Sequence, residues 1–276
     1  MSNLISLQTA VNNFRELINT SIIEGGNEAK TAMIRSSKPI MNIHEAVKSL
    51  LVKNGINHNL LFPPLQSRSP ELKLAGSLKQ KDQDICVIPN DIEPKSEVLA
   101  IGLLQGTKDQ YGESFTEKTL AINVRSQISS IQKNFDTLYE RTISEAQNLH
   151  DRCPAMVLGE VYMIAVPEYD DKEFENNKCV FKKVNSQIVE KYIKSFHAIS
   201  SRNDPTKYFY QYESTCLLIV DFSQKVSKIY HTTQELIEDG LLSRDTTVQY
   251  EGLDWNSFAE KLLKTYSTRF GIDKFS

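Results

Sequence analysis

The chain has 276 residues, of which 40% are hydrophobic and 24% are charged, and its formal net charge is −3. This composition is ordinary for a globular protein and excludes a uniformly basic chain of the kind that coats nucleic acid. Any DNA site must therefore be a local group of cations on one face.

The sequence gives no sign of a membrane or secreted protein. No stretch approaches the roughly 20 consecutive apolar residues of a membrane helix. The start "MSNLISLQTAVNNF" lacks the basic and apolar parts of a secretory signal. The cysteines form no CxxC pair and have no zinc-finger spacing; they are Cys86, Cys153, Cys179 and Cys216. We therefore expect reduced thiols and a cytoplasmic protein.

Helical patterns dominate the first part of the chain. Apolar residues at spacings of three and four predict an amphipathic helix over 3–20, which the "EGGNEA" stretch at 24–29 breaks. A second helix is predicted after Pro39, and it ends at Asn54-Gly55. These helices predict an N-terminal helical region.

The pattern changes to that of strands from residue 83. Four strands are predicted in the order "QDICVIP", "EVLAIGLLQG", "TLAINVRS" and "AMVLGEVYMIAVPEY". An amphipathic helix from Ser130 to Arg152 separates the last two. This order predicts an α/β fold with a central mixed β-sheet flanked by helices. We expect residues 1–62 to be the helical region and 63–276 the α/β domain, together as one compact unit.

The last third of the chain continues the alternation of helices and strands. A helix is predicted over Ser186 to Ile199, and the apolar strand "STCLLIVDF" is expected to pair with "KVSKIY". Two helices then close the chain, the first capped by Thr233 and the second covering "WNSFAEKLLKTYSTRF". The aromatic stretch "YFYQY" at 208–212 fits either an amphipathic edge strand or a surface that stacks on bases.

Carboxylates and cations meet where the first predicted strand begins. Asp82 and Asp84 open "DICVI" directly after the cations Lys73, Lys79 and Lys81. A carboxylate at a sheet edge can hold Mg²⁺ while neighbouring cations reach a phosphate, and the metal then polarises the phosphate and activates water. The alternative is a turn in which the aspartates cap backbone N–H groups and the lysines are solvated.

A second polar cluster leaves the strand "LAINVRSQ". Asn123, Arg125 and Gln127 leave an otherwise apolar strand and precede the long helix. Glu160 lies inside the otherwise apolar fourth strand, so its buried carboxylate needs a partner, and Arg125 is the candidate if the two strands are neighbours. The alternative for the cluster is a satisfied polar network at the start of a helix.

Residues 67–152 resemble the type II restriction endonucleases of the PD-(D/E)XK superfamily, with an XhoI-like layout. That layout has an acidic leader, a strand of the form "WDLLV", a strand of the form "AIEFKSQ" and a helix of the form "NFNNRxEEALG". This chain has "QDICV", "AINVRSQ" and "KNFDTLYERTISEA" in the corresponding places. Asp84 takes the place of the metal-binding aspartate and Glu71 that of the leader acid. The motif diverges at Asn123, which replaces a second carboxylate, and at Arg125, which replaces a lysine.

The resemblance implies a site-specific endonuclease of a type II restriction-modification system that hydrolyses double-stranded DNA with Mg²⁺. It also implies a homodimer, because the DNA site is two-fold symmetric, and a cognate DNA methyltransferase encoded beside it. The catalytic residues implied are Asp84, Asn123, Arg125, Gln127 and Glu71. The expected metal ligands are Asp84, Asp82 and Glu160. The expected DNA contacts are Lys79, Lys81, Lys133, Asn134 and Arg141, with Glu140 as a supporting acid.

Two other functions remain open. The departures at Asn123 and Arg125 favour a catalytically silent protein of the nuclease fold that binds DNA or a protein partner. The pI of about 6.0 favours an α/β domain with no nucleic-acid role.

Overall fold

A computed structural model describes residues 4–100 and 102–271. The helices are α1 (Leu7–Arg35), α2 (Lys38–Lys53), α3 (Glu113–Lys118), α4 (Ile131–His150), α5 (Ser186–Ala198), α6 (Thr233–Glu238) and α7 (Trp255–Phe270). The strands are β1 (Leu61–Phe62), β2 (Leu72–Ala75), β3 (Gln80–Gln83), β4 (Ile85–Val87), β5 (Glu97–Val98), β6 (Lys108–Asp109), β7 (Leu120–Gln127), β8 (Leu158–Ala165), β9 (Ser214–Asp221) and β10 (Lys228–Ile229).

A six-stranded mixed sheet forms the centre, in the order β1-β4-β7-β8-β9-β10. The strands β7, β8 and β9 are parallel to one another, whereas β4 is antiparallel to β7 and β10 is antiparallel to β9. Every residue of β8 and β9 is buried, because helices cover both faces of the sheet. This arrangement confirms the predicted fold class. The two hairpins β2–β3 and β5–β6 are separate from the sheet.

The two faces of β7 belong to different parts of the core. Ile122 and Val124 pack in the cluster that includes residues of α1, α2 and α7, whereas Ala121 packs in the cluster that includes residues of α4 and α5. Successive side chains of a strand point to opposite faces. Asn123, Arg125 and Gln127 therefore share the face of Ala121, beneath α4 and α5.

The first helix is longer than the sequence predicted. It continues to Arg35, and the "EGGNEA" stretch appears as a kink at Gly25 and Gly26, whose backbone angles are not helical. Gly26 has a φ of 58°, and a Cβ atom there would lie 2.5 Å from the carbonyl oxygen of Phe174. Only glycine fits this position without displacement. The second helix ends before Asn54-Gly55, as predicted.

One predicted strand and one predicted cap are wrong. In "EVLAIGLLQG" only Glu97–Val98 is a strand, and residues 102–106 form turns, because Gly102 and Gly106 both take a positive φ. Residues 99 and 100 have no regular structure, and residue 101 lies outside the described residues. The cap of α6 is Thr232, not Thr233: its Oγ1 accepts a 3.2 Å hydrogen bond from Glu235 N in a capping box.

Other predicted features are present in the structure. The strands β9 and β10 pair as expected, and α4, α5 and α7 lie within a few residues of their predicted bounds. Residues 208–212 are a loop and not an edge strand. The four cysteines are free thiols. Within the described part of the chain, no helix combines the length and the apolar character that crossing a membrane requires.

Candidate active site

Asp84 lies immediately before β4 and contacts the middle of β7. Its Oδ2 accepts a 2.8 Å hydrogen bond from the backbone N–H of Val124. Ile85 pairs with Ile122 in the antiparallel register, so Asp84 lies opposite Asn123. The fold therefore places Asp84 opposite Asn123, the residue that takes the place of the second carboxylate in the resemblance.

Arg125 is held by two carboxylates. Its Nη1 donates to Glu160 Oε1 at 2.9 Å and to Thr142 Oγ1 at 2.7 Å, and its Nη2 pairs with Glu145. Glu160 is fully buried on β8, the strand next to β7. The predicted pairing of Arg125 with Glu160 is confirmed. Two carboxylates, those of Glu145 and Glu160, therefore face the single positive charge of Arg125.

Glu145 of α4 joins this cluster to the β2–β3 hairpin. Lys81 Nζ lies 2.7 Å from Glu145 Oε2, and Lys79 Nζ lies 3.8 Å from Oε1. Sequence reasoning chose Glu140 as the supporting acid, but Glu140 is exposed. Glu145 lies four residues before the buried Leu149 of α4, and residues four apart share one face of a helix, so this spacing was the available signal that its carboxylate points inward.

The pKa values of the two carboxylates in the cluster are shifted in opposite directions. Burial raises the pKa of Glu160 to about 7, although Arg125 opposes the rise. Burial also acts to raise the pKa of Glu145, but the charges of Arg125 and Lys81 outweigh it and lower the value. Glu145 is therefore the carboxylate that stays ionised, whereas Glu160 exchanges a proton near neutral pH.

Two buried oxygens in this cluster have no hydrogen-bond partner among the described residues. They are Oδ1 of Asn123 and Oε2 of Glu160. Asn123 and Glu160 are register partners on the parallel strands β7 and β8, so their side chains project from the same face. Buried acceptors without a donor are rare and costly. A proton on Glu160 or a bound cation would satisfy them.

The donor chemistry fits an oxygen-bound cation such as Mg²⁺. The described residues contain no group of three or more His, Cys, Asp or Glu side chains placed to hold a metal ion. Of the expected ligands, Asp82 is exposed on β3. The remaining donors are the carboxylate of Asp84 and the free oxygens of Asn123 and Glu160, and Mg²⁺ prefers oxygen. Metal binding itself stays a prediction.

Two further titratable groups lie near Asp84. Partial burial raises the pKa of Glu71, and the negative charges of Asp84 and Asp82 raise it further. His44 of α2 is buried; burial lowers its pKa while Asp84 opposes that change. Sequence reasoning found Glu71 but not His44, because a histidine 40 residues away from Asp84 has no local motif.

Gln127 makes internal hydrogen bonds. Its Oε1 accepts from the hydroxyls of Tyr192 at 2.6 Å and Tyr162 at 3.2 Å, and its Nε2 donates to Ser130 O at 3.0 Å. The side chain is buried. It fixes the start of α4 against β7 and α5, and contact with a water or a phosphate would require these bonds to open.

The residues expected to contact DNA are accessible. Lys133, Asn134 and Arg141 are exposed along α4. The side chains of Lys79 and Lys81 are 47% and 30% exposed while they pair with Glu145. All five can therefore be reached from solvent, although Lys79 and Lys81 already pair with Glu145.

Comparison with known proteins gives no match. No protein-family model matches the chain, and neither the curated proteins nor the solved structures provide a similar protein. The function must therefore be inferred from the geometry of the site.

Proposed function

We propose that the protein is a Mg²⁺-dependent endonuclease that cuts double-stranded DNA at a specific site, as type II restriction enzymes do. The observation that carries the proposal is the junction of β4 and β7, where Asp84 lies opposite Asn123 and bonds to Val124 N at 2.8 Å. This junction precedes a helix and a parallel strand, the order that the resemblance of residues 67–152 implies.

In this proposal Asp84 and the amide oxygen of Asn123 hold the metal, and the free oxygen of Glu160 supplies negative charge that Asn123 lacks. A bound Mg²⁺ would polarise the scissile phosphate and acidify an attacking water. Arg125 is a positioning residue, because its guanidinium is bound to Glu160 and Glu145. Lys81 is better placed to stabilise the phosphate, since its side chain is 30% exposed.

A second candidate function is a DNA-binding protein of the same fold without catalysis. The double neutralisation of Arg125 favours it, because the motif then offers no free cation from β7. The uncharged Asn123 favours it as well, since an amide oxygen binds Mg²⁺ more weakly than a carboxylate. The homodimer and the neighbouring methyltransferase gene are part of the first proposal only.

The test is digestion of phage λ DNA with Mg²⁺ and with EDTA, by the wild-type protein and by Asp84→Asn. Asparagine keeps an oxygen that accepts from Val124 N, so the variant loses charge and retains the backbone contact. Asp136→Asn is the matched control, because Asp136 is an exposed α4 carboxylate paired with Lys191.

Discrete bands that require Mg²⁺, persist in Asp136→Asn and vanish in Asp84→Asn are the expected result. Uncut DNA at high concentrations of folded wild-type protein would overturn the endonuclease. A gel shift on the same samples would then distinguish a DNA-binding protein from one that does not bind DNA.

A further inference from the structure

A polar cavity of about 400 Å³ lies apart from Asp84, at the amino ends of β8 and β9. We name it the α7 pocket. Its lining residues are Ser201, Asn203, Glu213, Lys261, Lys264, Thr265, Thr268 and Arg269. Glu213 directly precedes β9, and one of its oxygens accepts a 2.7 Å hydrogen bond from Leu158 N at the start of β8.

The floor of the pocket carries more positive than negative charge. Arg202 and Arg269 each place a guanidinium nitrogen 2.8 Å from the same oxygen of Glu213. Glu213 is fully buried as a side chain, and so is Arg202. One carboxylate is therefore shared by two arginines, and the three side chains together carry one net positive charge beneath the cavity.

Two lysines of α7 add to this excess. Lys261 Nζ donates to Gly252 O at 2.7 Å, and the other hydrogens of its ammonium group remain for a ligand. Lys264 is exposed and has no ion pair within residues 4–100 and 102–271. Three cations line the cavity, and its one carboxylate is already shared. The cavity is therefore positively charged, although the whole chain has a net charge of −3.

The loop after Asn203 bears two exposed aromatic rings. Tyr208 is 58% exposed and Tyr210 is 36% exposed, and their ring centroids lie 6.2 Å apart. Tyr208 has a φ of 51°, which is unusual for a bulky residue. Buried Arg202 holds this conformation by donating to Lys207 O at 2.9 Å and to Pro205 O at 2.7 Å. Arg202 therefore connects this loop to Glu213 of the pocket.

We propose that the α7 pocket binds a phosphate group of a DNA strand. Lysine ammonium groups recognise phosphate by charge, and exposed aromatic rings are surfaces on which bases can stack. The phosphate site stands on the pocket alone, whereas DNA as its source rests on the proposed function. A free phosphate or a mononucleotide would present the same chemical group.

The test uses the full chain with Lys264→Gln and the control Lys178→Gln. Lys264 is exposed and unpaired, so its replacement leaves the fold intact. Lys178 is equally exposed but follows the carboxyl end of β8, at the opposite end of the parallel strands. Affinity for a labelled duplex is measured by fluorescence anisotropy in EDTA at several NaCl concentrations, so that cleavage plays no part.

Lys264→Gln is expected to weaken binding about threefold to tenfold at low salt and to lower the slope of log affinity against log salt by about one. Lys178→Gln should match the wild type. Equal binding by all three proteins overturns DNA as the ligand. If inorganic phosphate then raises the melting temperature of the wild type but not of Lys264→Gln, the pocket takes free phosphate, and if it raises neither, the phosphate site is overturned.

The outcome is separable from that of the proposed function. A protein that needs Lys264 for DNA affinity but leaves λ DNA uncut retains the α7 pocket and loses the endonuclease. A protein that cuts λ DNA and binds it equally well without Lys264 retains the endonuclease and loses the pocket.

Discussion

The variant Glu160→Gln removes the titrating carboxylate that is buried on β8. Glutamine preserves the size of the side chain and keeps an oxygen that accepts from Arg125 Nη1, which now bonds to Glu160 Oε1 at 2.9 Å. Its amide N–H₂ can donate to the unpartnered Oδ1 of Asn123. The variant therefore removes the charge at position 160 and supplies the donor that the ionised carboxylate lacks.

The magnitude follows from the pKa of Glu160, which burial raises from 4.5 to about 7. Folding thus favours the protonated acid, so this stabilisation is fully present below pH 4.5 and is lost as the pH rises through 7. A shift of that size corresponds to about 3 kcal/mol in the free energy of unfolding. The variant has no titrating group at this position, so its stability relative to the wild type should rise by that amount from acid to alkaline pH.

Urea unfolding of both proteins at a series of pH values from acid to alkaline measures this difference. All other titrating groups are common to the two proteins, so their contributions cancel in the comparison. Glu140→Gln is the control, because it removes the same charge at an exposed position of α4. A difference between wild type and Glu160→Gln that is constant over the whole range would refute a raised pKa at Glu160.

Two further changes test the cluster and the fold. Arg125→Met leaves buried Glu160 without its cation, so it should destabilise the protein by about 3–5 kcal/mol at alkaline pH and by less at acid pH, where Glu160 is protonated; equal losses at both pH values, measured by urea unfolding, would contradict this. Thr232→Ala should lower the free energy of unfolding by about 1 kcal/mol through loss of the α6 cap, whereas Thr232→Ser should be near neutral; identical thermal melts for the two variants would assign the cap elsewhere.

The central sheet was predictable because its strands are continuous apolar runs. β8 and β9 are buried on both faces, so "LGEVYMIA" and "STCLLIVD" carry β-forming residues without the interruptions of a surface strand. The stretch at 97–106 was wrongly predicted to be one long strand because of its leucines. Two glycines with positive φ turn the chain there instead. The hairpin β2–β3 was missed because "QKDQ" contains no β-former.

The site was predictable only where neighbouring strands define it. Arg125 and Glu160 could be paired from sequence, since a helix between two strands implies a parallel crossover that makes them neighbours. Glu145 and His44 could not be placed, because the rotation of α4 and α2 about their axes depends on packing with the whole sheet. The α7 pocket likewise requires the contact of α7 with the amino ends of β8 and β9.

Under the proposed function, Asn123 and Arg125 represent a redistribution of charge over two strands rather than the loss of a site. Asn123 carries no charge, but its register partner on the next strand is Glu160, which is fully buried. Arg125 forms ion pairs with that carboxylate and with Glu145 and so holds both in place. A buried acid with one unpartnered oxygen lowers stability, and an apolar side chain at position 160 would avoid that loss. The proposed function supplies a ligand for this oxygen, because Asp84 lies opposite Asn123, across β7 from Glu160.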